Sequence, residues 1–272
     1  MDAPLNHIFY PASFSELFSV WNRFPAALPY AGGTDINLKN QNMEPVLLCM
    51  DKIDDLHSLT RTEQYLDIGA MVKLNSLLRL GKIVPHVLCG CLEKISGIQV
   101  RNIATVGGNI LGTKGDLSLP LTALDAQYEL RTAQSSRWVS STRFHSSAEE
   151  TGIKNQELLT RIRLPLRQWD YSVYKKFTGG SFFSDESFVF LANTSKSILS
   201  EIRILYKGST IVRNKDGEAI LNGKYLPFHR KTADEFVNNW KEFLKNKLDE
   251  SDFLKNAILN CIEENIYNLT DN

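Results

Sequence analysis

Hydrophobic residues recur along this chain at two spacings, and the longer of them predicts helices. Ser13 and Glu16 fit a capping box at the start of the first segment whose apolar residues stand three to four positions apart. A first amphipathic helix is therefore expected to end near Arg23. The other segments with this spacing are 73–80, 85–95, 117–124, 233–243 and 253–267.

The shorter spacing, alternation of apolar and polar residues, predicts strands, as do short continuous apolar segments. The clearest alternation spans 157–165, where Pro165 ends the segment. A domain boundary is expected near residue 168, because beyond it three strand segments precede two helices, a pattern typical of an α+β domain. The other predicted strands are 46–50, 65–69, 126–131, 172–177, 188–192 and 202–206.

Two glycine pairs are candidate binding turns, one within 30–35 and one within 101–116. A glycine pair removes two Cβ atoms and allows positive φ, so successive backbone N–H groups can point into one concavity and bind anionic oxygen. Most glycine pairs make only turns. Here a small hydroxyl residue and a polar side chain stand beside each pair, which favours two turns that hold one pyrophosphate between them. These residues are Thr34 with Asp35 and Thr105 with Asn109.

Composition narrows the possible functions. The 272 residues contain 31 Lys plus Arg and 31 Asp plus Glu, without a basic stripe, so nucleic-acid binding is disfavoured. The start has no secretion signal and no segment has about 18 consecutive apolar residues, so we expect a cytoplasmic protein without a membrane span. The four cysteines lack metal-ligand spacing and are expected to be buried free thiols. No motif nominates a catalytic acid, base or metal ligand.

Three segments, Tyr30–Lys39, Ile98–Ile110 and Gly115–Ala126, closely resemble the FAD-binding subunit of the molybdenum-containing hydroxylases, the class of xanthine, carbon monoxide and nicotinate dehydrogenases. The segments 157–165 and 206–227 resemble later parts of the same subunit. The resemblance implies an α/β FAD-binding domain over 1–168 with two subdomains, roughly 1–55 and 56–168, and the cofactor between them. A small C-terminal domain of antiparallel sheet plus helices would span 169–272, giving a mixed α/β and α+β fold.

The resemblance also implies which residues contact FAD. Both glycine segments would bind phosphate and ribityl oxygens through backbone N–H groups, Asp116 would bind the sugar chain, and Lys176 would reach the flavin ring, where an ammonium stabilises the negative charge of the reduced form. Asp116 could instead be a helix N-cap and Lys176 a solvated lysine. The implied contacts are Pro29, Tyr30, Ala31, Gly32, Gly33, Thr34, Asp35, Ile36, Ile95, Thr105, Val106, Gly107, Gly108, Asn109, Asp116, Leu158 and Lys176.

In such a subunit, substrate is oxidised at a molybdenum cofactor on a partner chain, [2Fe-2S] clusters on another chain carry the electrons, and FAD passes them to NAD+ or another acceptor. The sequence departs from the family pattern at 112–115 and 177–181. The departure at 177–181 motivates a second hypothesis, a flavin-deficient assembly or nucleotide-binding subunit that keeps the fold. A third, a stand-alone flavin reductase, is disfavoured by the resemblance of the C-terminal part.

Overall fold

The structure, a computed structural model, describes residues 7–35, 46–112, 115–146, 152–177, 186–247 and 251–270. The chain divides into two units by its internal contacts. The first unit contains Met1–Val84 and Ile95–Leu166, and the second contains Pro85–Lys94 and Arg167–Asn272. The segment 85–94 thus belongs to the second unit although the chain on both sides of it belongs to the first.

The first unit holds two sheets. Strands β1, β3 and β2 form a parallel sheet in that order, and β4, β5, β8, β6 and β7 form an antiparallel one. Its strands are β1 His7–Phe9, β2 Leu28–Tyr30, β3 Val46–Cys49, β4 Leu59–Arg61, β5 Tyr65–Gly69, β6 Gln127–Arg131, β7 Ser136–Ser140 and β8 Leu158–Pro165. Its helices are α1 Phe14–Arg23, α2 Leu74–Leu78, α4 Ile98–Arg101, α5 Val106–Leu111, α6 Ser118–Ala123 and α7 Ser141–Phe144.

The predicted cap of the first helix is confirmed. The Glu16 N–H donates to Ser13 Oγ at 3.2 Å, and the Glu16 carboxylate in return accepts from the Ala12 N–H at 2.8 Å. Leu17, Phe18 and Trp21 are buried, so helical spacing places one apolar face in the core of this unit.

The antiparallel sheet has one apolar and one polar face. From Thr160 to Pro165 in β8, buried and partly exposed residues alternate, as the predicted period of two requires, whereas Leu158 and Leu159 are both buried. On the polar face, Arg163 binds Asp67 through two hydrogen bonds of 2.8 Å, and its guanidinium stacks over the ring of Trp138.

Glu157 gives this unit a pH-sensitive contact just before β8. Its buried carboxylate accepts two hydrogen bonds from Arg137, at 2.6 and 2.8 Å, and one from the Lys154 N–H at 2.9 Å. The Arg137 hydrogen bonds are the main cause that lowers the pKa of Glu157 below its usual 4.5, while burial opposes them. A depressed pKa in the folded state stabilises the fold above the unfolded value and stops doing so as pH falls through the folded one.

We therefore expect Glu157→Gln to lower the free energy of unfolding by about 1–3 kcal/mol at pH 7, because the charge-assisted hydrogen bonds are lost. The difference from the parent protein should shrink once pH falls below about 4.5. Urea unfolding at pH 7 and pH 4 measures both effects, with the exposed Glu63→Gln as the matched control. A difference that stays constant over this pH range would contradict the assignment.

The second unit is an antiparallel sheet covered by helices. Its strands pair in the order β12, β11, β10 and β9, and the helix of segment 85–94 packs on β9. The strands are β9 Tyr171–Lys176, β10 Ser187–Ser195, β11 Ile198–Lys207 and β12 Ile211–Arg213. The helices are α3 His86–Lys94, α8 Lys215–Ala219, α9 Arg230–Lys247 and α10 Asp252–Tyr267. Trp240, Phe236 and Phe228 from the helical side and Phe188 and Phe190 from β10 lie in one buried cluster.

The mixed α/β and α+β fold class is confirmed, and every predicted helix and strand is present within a few residues of its expected bounds. The short elements β1, β2, β4, β7, β12, α4, α7 and α8 were not anticipated, because three to five residues are too few to show a period. The domain boundary near 168 and the subdomain boundary near 55 stay predictions.

Candidate cofactor site

The first glycine segment leaves the parallel sheet at its carboxyl edge. Tyr30, the last residue of β2, lies opposite Cys49, the last residue of β3. Gly33 adopts φ +69°, in the left-handed region that glycine tolerates best. A Cβ on Gly33 would also lie 2.0 Å from the Tyr30 hydroxyl oxygen, so the Tyr30 side chain would have to move, but it is the positive φ that favours a glycine here.

The backbone of this turn offers hydrogen-bond donors. Within the part of the chain that the structure describes, no group accepts a hydrogen bond from the N–H of Ala31, Gly32, Gly33 or Thr34. Successive donors around a left-handed residue form a concavity that binds anionic oxygen. We call Ala31–Thr34 the phosphate cradle. The first of the two predicted binding turns therefore has backbone N–H groups that can bind a ligand.

The two glycine segments lie against each other. A Cβ on Gly32 would lie 2.2 Å from the carbonyl oxygen of Ile103 and 3.3 Å from the Cα of Ala104, so only a glycine allows this approach. Asp35 and Gly112 are also close, with Asp35 Oδ2 at 3.8 Å from the position of a Gly112 Cβ. Segments about 70 residues apart in sequence thus meet at the cradle, as two turns around one ligand require.

The second glycine segment is a helix, not the open turn that the sequence analysis predicts. Val106–Leu111 forms α5, and Thr105 is its N-cap, whose Oγ accepts from the Gly108 N–H at 3.0 Å. Neither Gly107 nor Gly108 has positive φ. Three neighbouring N–H groups also donate within the protein: Val106 to Val72 O, Gly107 to Ala70 O and Asn109 to Thr105 O.

The N–H groups of Val106–Asn109 thus already have acceptors within the protein, so this segment offers a ligand fewer backbone donors than an open turn would. Gly107 has a packing role, since its Cβ would lie 2.8 Å from the Ala70 Cβ. The N-cap hydroxyl and the carbonyls of Ala70 and Val72 use the donors that a free Gly-Gly turn would leave open. Within α5, Gly108 and Leu111 are exposed and Asn109 is half-buried.

Asp116 lies beside this segment but does not cap a helix. The N-cap of α6 is Leu117, and no side chain forms a capping hydrogen bond there, so the alternative interpretation of Asp116 as an N-cap is wrong. The Leu117 N–H instead donates to Asn109 Oδ1 at 3.0 Å, which ties the end of α5 to the start of α6. Asp116 itself is only 5% exposed.

The other predicted contacts are distributed as follows. Ile95 and Leu158 are buried residues of the first unit, 6% and 3% exposed. Lys176 belongs to the second unit, where it is half-buried on β9 opposite Ser187 of β10. Ile36 lies outside the described residues, as do 113–114 and 178–181 of the two segments that depart from the family pattern.

The sequence analysis missed Ile103 and Ala104, the backbone against which Gly32 packs. No local signal could identify them, because the contact joins residues far apart in the chain. The cysteines are free thiols, as predicted, and burial raises the pKa of Cys49, Cys89 and Cys261. Among the described residues, no group of three or more His, Cys, Asp or Glu side chains could hold a metal ion. The helices of the described segments include none that is long and apolar enough to cross a membrane.

The backbone donors of the cradle fit a dinucleotide such as FAD. A diphosphate needs donors that are not already used within the protein, and the cradle N–H groups meet this need. Gly32 keeps the cradle within van der Waals distance of the second segment, where any larger residue would separate them.

Comparison with known proteins gives one matching family model, several curated relatives and several similar solved structures. The family model of the FAD binding domain in molybdopterin dehydrogenase matches residues 4–167. The xanthine dehydrogenase FAD-binding subunit of Escherichia coli O157:H7 is 28% identical over 162 residues, which cover 57% of this chain and 56% of that protein. The glyceraldehyde dehydrogenase medium chain of Sulfolobus acidocaldarius is 29% identical over 155 residues, 54% of this chain and 55% of that one. The match spans about half the length of these oxidoreductase components.

Solved structures extend the likeness in fold to the whole chain. Quinoline 2-oxidoreductase from Pseudomonas putida 86 superimposes with a TM-score of 0.83 at 19% identity, covering 99% of this chain and 98% of that one. Carbon monoxide dehydrogenase from Hydrogenophaga pseudoflava gives 0.82 at 21% identity, with the same coverage. The predicted fold type is confirmed by these superpositions. Since the family model covers more than half of the sequence, the chain belongs to the family of FAD-binding domains of molybdopterin dehydrogenases.

Proposed function

We propose that this chain is the FAD-binding electron-transfer subunit of a multi-subunit molybdenum hydroxylase of the xanthine dehydrogenase type. The observation that carries the proposal is the phosphate cradle, whose N–H groups have no acceptor among the described residues and which Gly32 brings against Ile103. The cradle lies within residues 4–167, the segment that the family model matches.

Within this proposal, the cradle holds the diphosphate and the neighbouring side chains position the rest of the dinucleotide. Asp116 binds the sugar chain, and Ile95 and Leu158 provide apolar contacts. The second segment contributes through Gly108 and Asn109, both of which are accessible, while Thr105, Val106 and Gly107 hold α5 in place. When bound, FAD supplies the exchange between one-electron and two-electron carriers.

The proposed partners follow from what such a subunit lacks. Four cysteines without cluster spacing leave no ligand set for iron–sulfur centres in this sequence, so a [2Fe-2S] subunit and a molybdenum-cofactor subunit are expected on other chains. NAD+ or another acceptor would take up the electrons, in a cytoplasmic complex. The names of the curated relatives, a FAD-binding subunit and a medium chain, support this division of labour.

The test is to purify the full chain with whatever binds it and to record its absorption spectrum. Flavin bands that bleach with dithionite, together with a molybdenum protein in the pull-down, are the expected result. Bleaching by NADH would identify NAD+ as the acceptor. A colourless protein that cannot be reconstituted with FAD would overturn the proposal and favour the flavin-deficient assembly subunit.

We assign Lys176 a role in setting the flavin potential, as the resemblance implies. An ammonium near the reduced flavin stabilises its negative charge, so Lys176→Ala should lower the midpoint potential by on the order of tens of millivolts while FAD stays bound. Lys175→Ala is the matched control, because Lys175 pairs with Glu264. Spectroelectrochemical titration measures both variants, and equal potentials would leave Lys176 as a surface lysine.

A further inference from the structure

The charges around the phosphate cradle do not match its proposed ligand. Among the predicted contacts of the first unit, the two charged side chains are Asp35 and Asp116, both acidic. A diphosphate brings further negative charge, which backbone N–H groups bind but do not neutralise. A cation near the cradle would resolve this mismatch, and the sequence analysis names none.

Lys73 is fixed next to both glycine segments by its backbone. It precedes α2 and forms an isolated antiparallel bridge with Thr105, the N-cap of α5. The hydrogen bonds on either side of this bridge run from the Leu74 N–H to Ala104 O and from the Val106 N–H to Val72 O, both at 2.9 Å. Gly32 packs against the backbone of Ile103 and Ala104. Lys73 pairs with Thr105, the next residue along the chain, and therefore lies close to the contact between the two glycine segments.

The Lys73 side chain extends to the carboxyl edge of the parallel sheet. Its Nζ lies 3.8 Å from Oδ1 of Asp51, which follows β3. At this edge the Met50 N–H donates to Tyr30 O at 3.1 Å, immediately before the chain enters the cradle. Ligands of parallel sheets bind at the carboxyl ends of the strands. The ammonium therefore lies at the same edge of the sheet as the start of the cradle.

The pair of Lys73 and Asp51 is open to exchange. The two side chains are 29% and 51% exposed, and their separation is long for an ion pair. Solvent-exposed pairs of this kind contribute little to stability, whereas an ammonium binds a phosphate group through charge-assisted hydrogen bonds. A phosphate at the cradle can thus replace Asp51 as the partner of Lys73.

We propose that Lys73 is the cation of the phosphate site: its ammonium leaves Asp51 to bind the diphosphate, and Asp51 competes with the ligand for it. The assignment rests on the proposed FAD-binding function and names a residue that the family resemblance did not supply. It predicts opposite effects for the two partners, because removing the ammonium weakens binding and removing its competitor strengthens it.

The first test compares FAD with riboflavin, which lacks phosphate, on the full-length protein after removal of bound flavin. Lys73→Gln should raise the Kd for FAD about tenfold and leave that for riboflavin unchanged, since a single charge-assisted contact is lost. Lys73→Arg should stay within about threefold of the parent protein. Lys82→Gln, an exposed lysine of the same unit, is the matched control and should bind both ligands normally.

The second test uses Asp51→Asn, which keeps an oxygen acceptor for the Cys49 thiol. This variant should bind FAD a few-fold more tightly, and the gain should vanish in the double variant with Lys73→Gln. A Lys73→Gln protein with unchanged FAD affinity, or an Asp51→Asn protein that binds FAD less tightly, overturns the assignment of Lys73 alone. A parent protein that binds no FAD overturns the proposed function and this assignment with it. Circular dichroism confirms that each variant is folded.

Discussion

Replacing Gly32 by alanine should abolish FAD retention. The added Cβ would lie 2.2 Å from the Ile103 carbonyl oxygen and 2.8 Å from its carbon, distances that folded proteins do not tolerate. Ile103 cannot easily yield, because its own N–H and that of Ala104 both donate to Val100 O. Overpacking of this kind costs about 1–3 kcal/mol, and here the displacement falls on the cradle itself. We expect purified protein with flavin content near zero.

Gly152→Ala is the matched control for this experiment. It makes the same chemical change in the same unit, but a Cβ there would meet no atom of the described residues within 4 Å, and φ is not positive. Flavin content, measured after denaturation, should match the parent protein. Melting of both variants must remain cooperative, so that loss of flavin reports on the cradle and not on unfolding. A Gly32→Ala protein with full flavin content would remove the physical basis of the proposed site.

Trp240→Ala should destabilise the second unit by about 3–5 kcal/mol. The Trp240 side chain is fully buried in the aromatic cluster, with its ring centroid 5.4 Å from that of Phe243 and 6.5 Å from that of Phe236. Truncation to a methyl group loses these contacts and leaves a cavity between α9 and the sheet that it covers. Urea unfolding followed by far-UV circular dichroism measures the loss.

Two variants sharpen this prediction. Phe253→Ala removes an aromatic ring of α10 that is 63% exposed, so its effect should stay within about 0.5 kcal/mol. Trp240→Phe keeps an aromatic ring and removes an indole N–H that has no acceptor among the described residues. It should cost clearly less than alanine, because the phenyl ring fills most of the space that alanine would leave empty, and both variants remove the unsatisfied N–H. Equal losses for Trp240→Ala and Phe253→Ala would contradict the assigned core.

The sequence predicts the larger elements of this fold well because their signals are local. The capping pair Ser13 and Glu16 and the apolar spacing behind it lie within one turn of α1, and the alternation in β8 lies within one strand. Such patterns can be recognised in the sequence whatever the segment packs against in the folded protein. Local signals do not predict which unit a segment packs into. The α3 helix is visible in the sequence, but its place in the second unit depends on its packing against β9.

For the candidate site, the chain by itself determined the two glycine pairs, the residues that carry the family resemblance and the lack of metal-ligand spacing. Only the tertiary structure decided what each pair does. Ala70 and Val72, more than 30 residues away in sequence, accept the N–H groups of the second segment and make it a capped helix, whereas the first keeps its donors. The physical reason is that a backbone N–H binds whichever carbonyl folding brings to it, and distant carbonyls leave no mark on the local sequence.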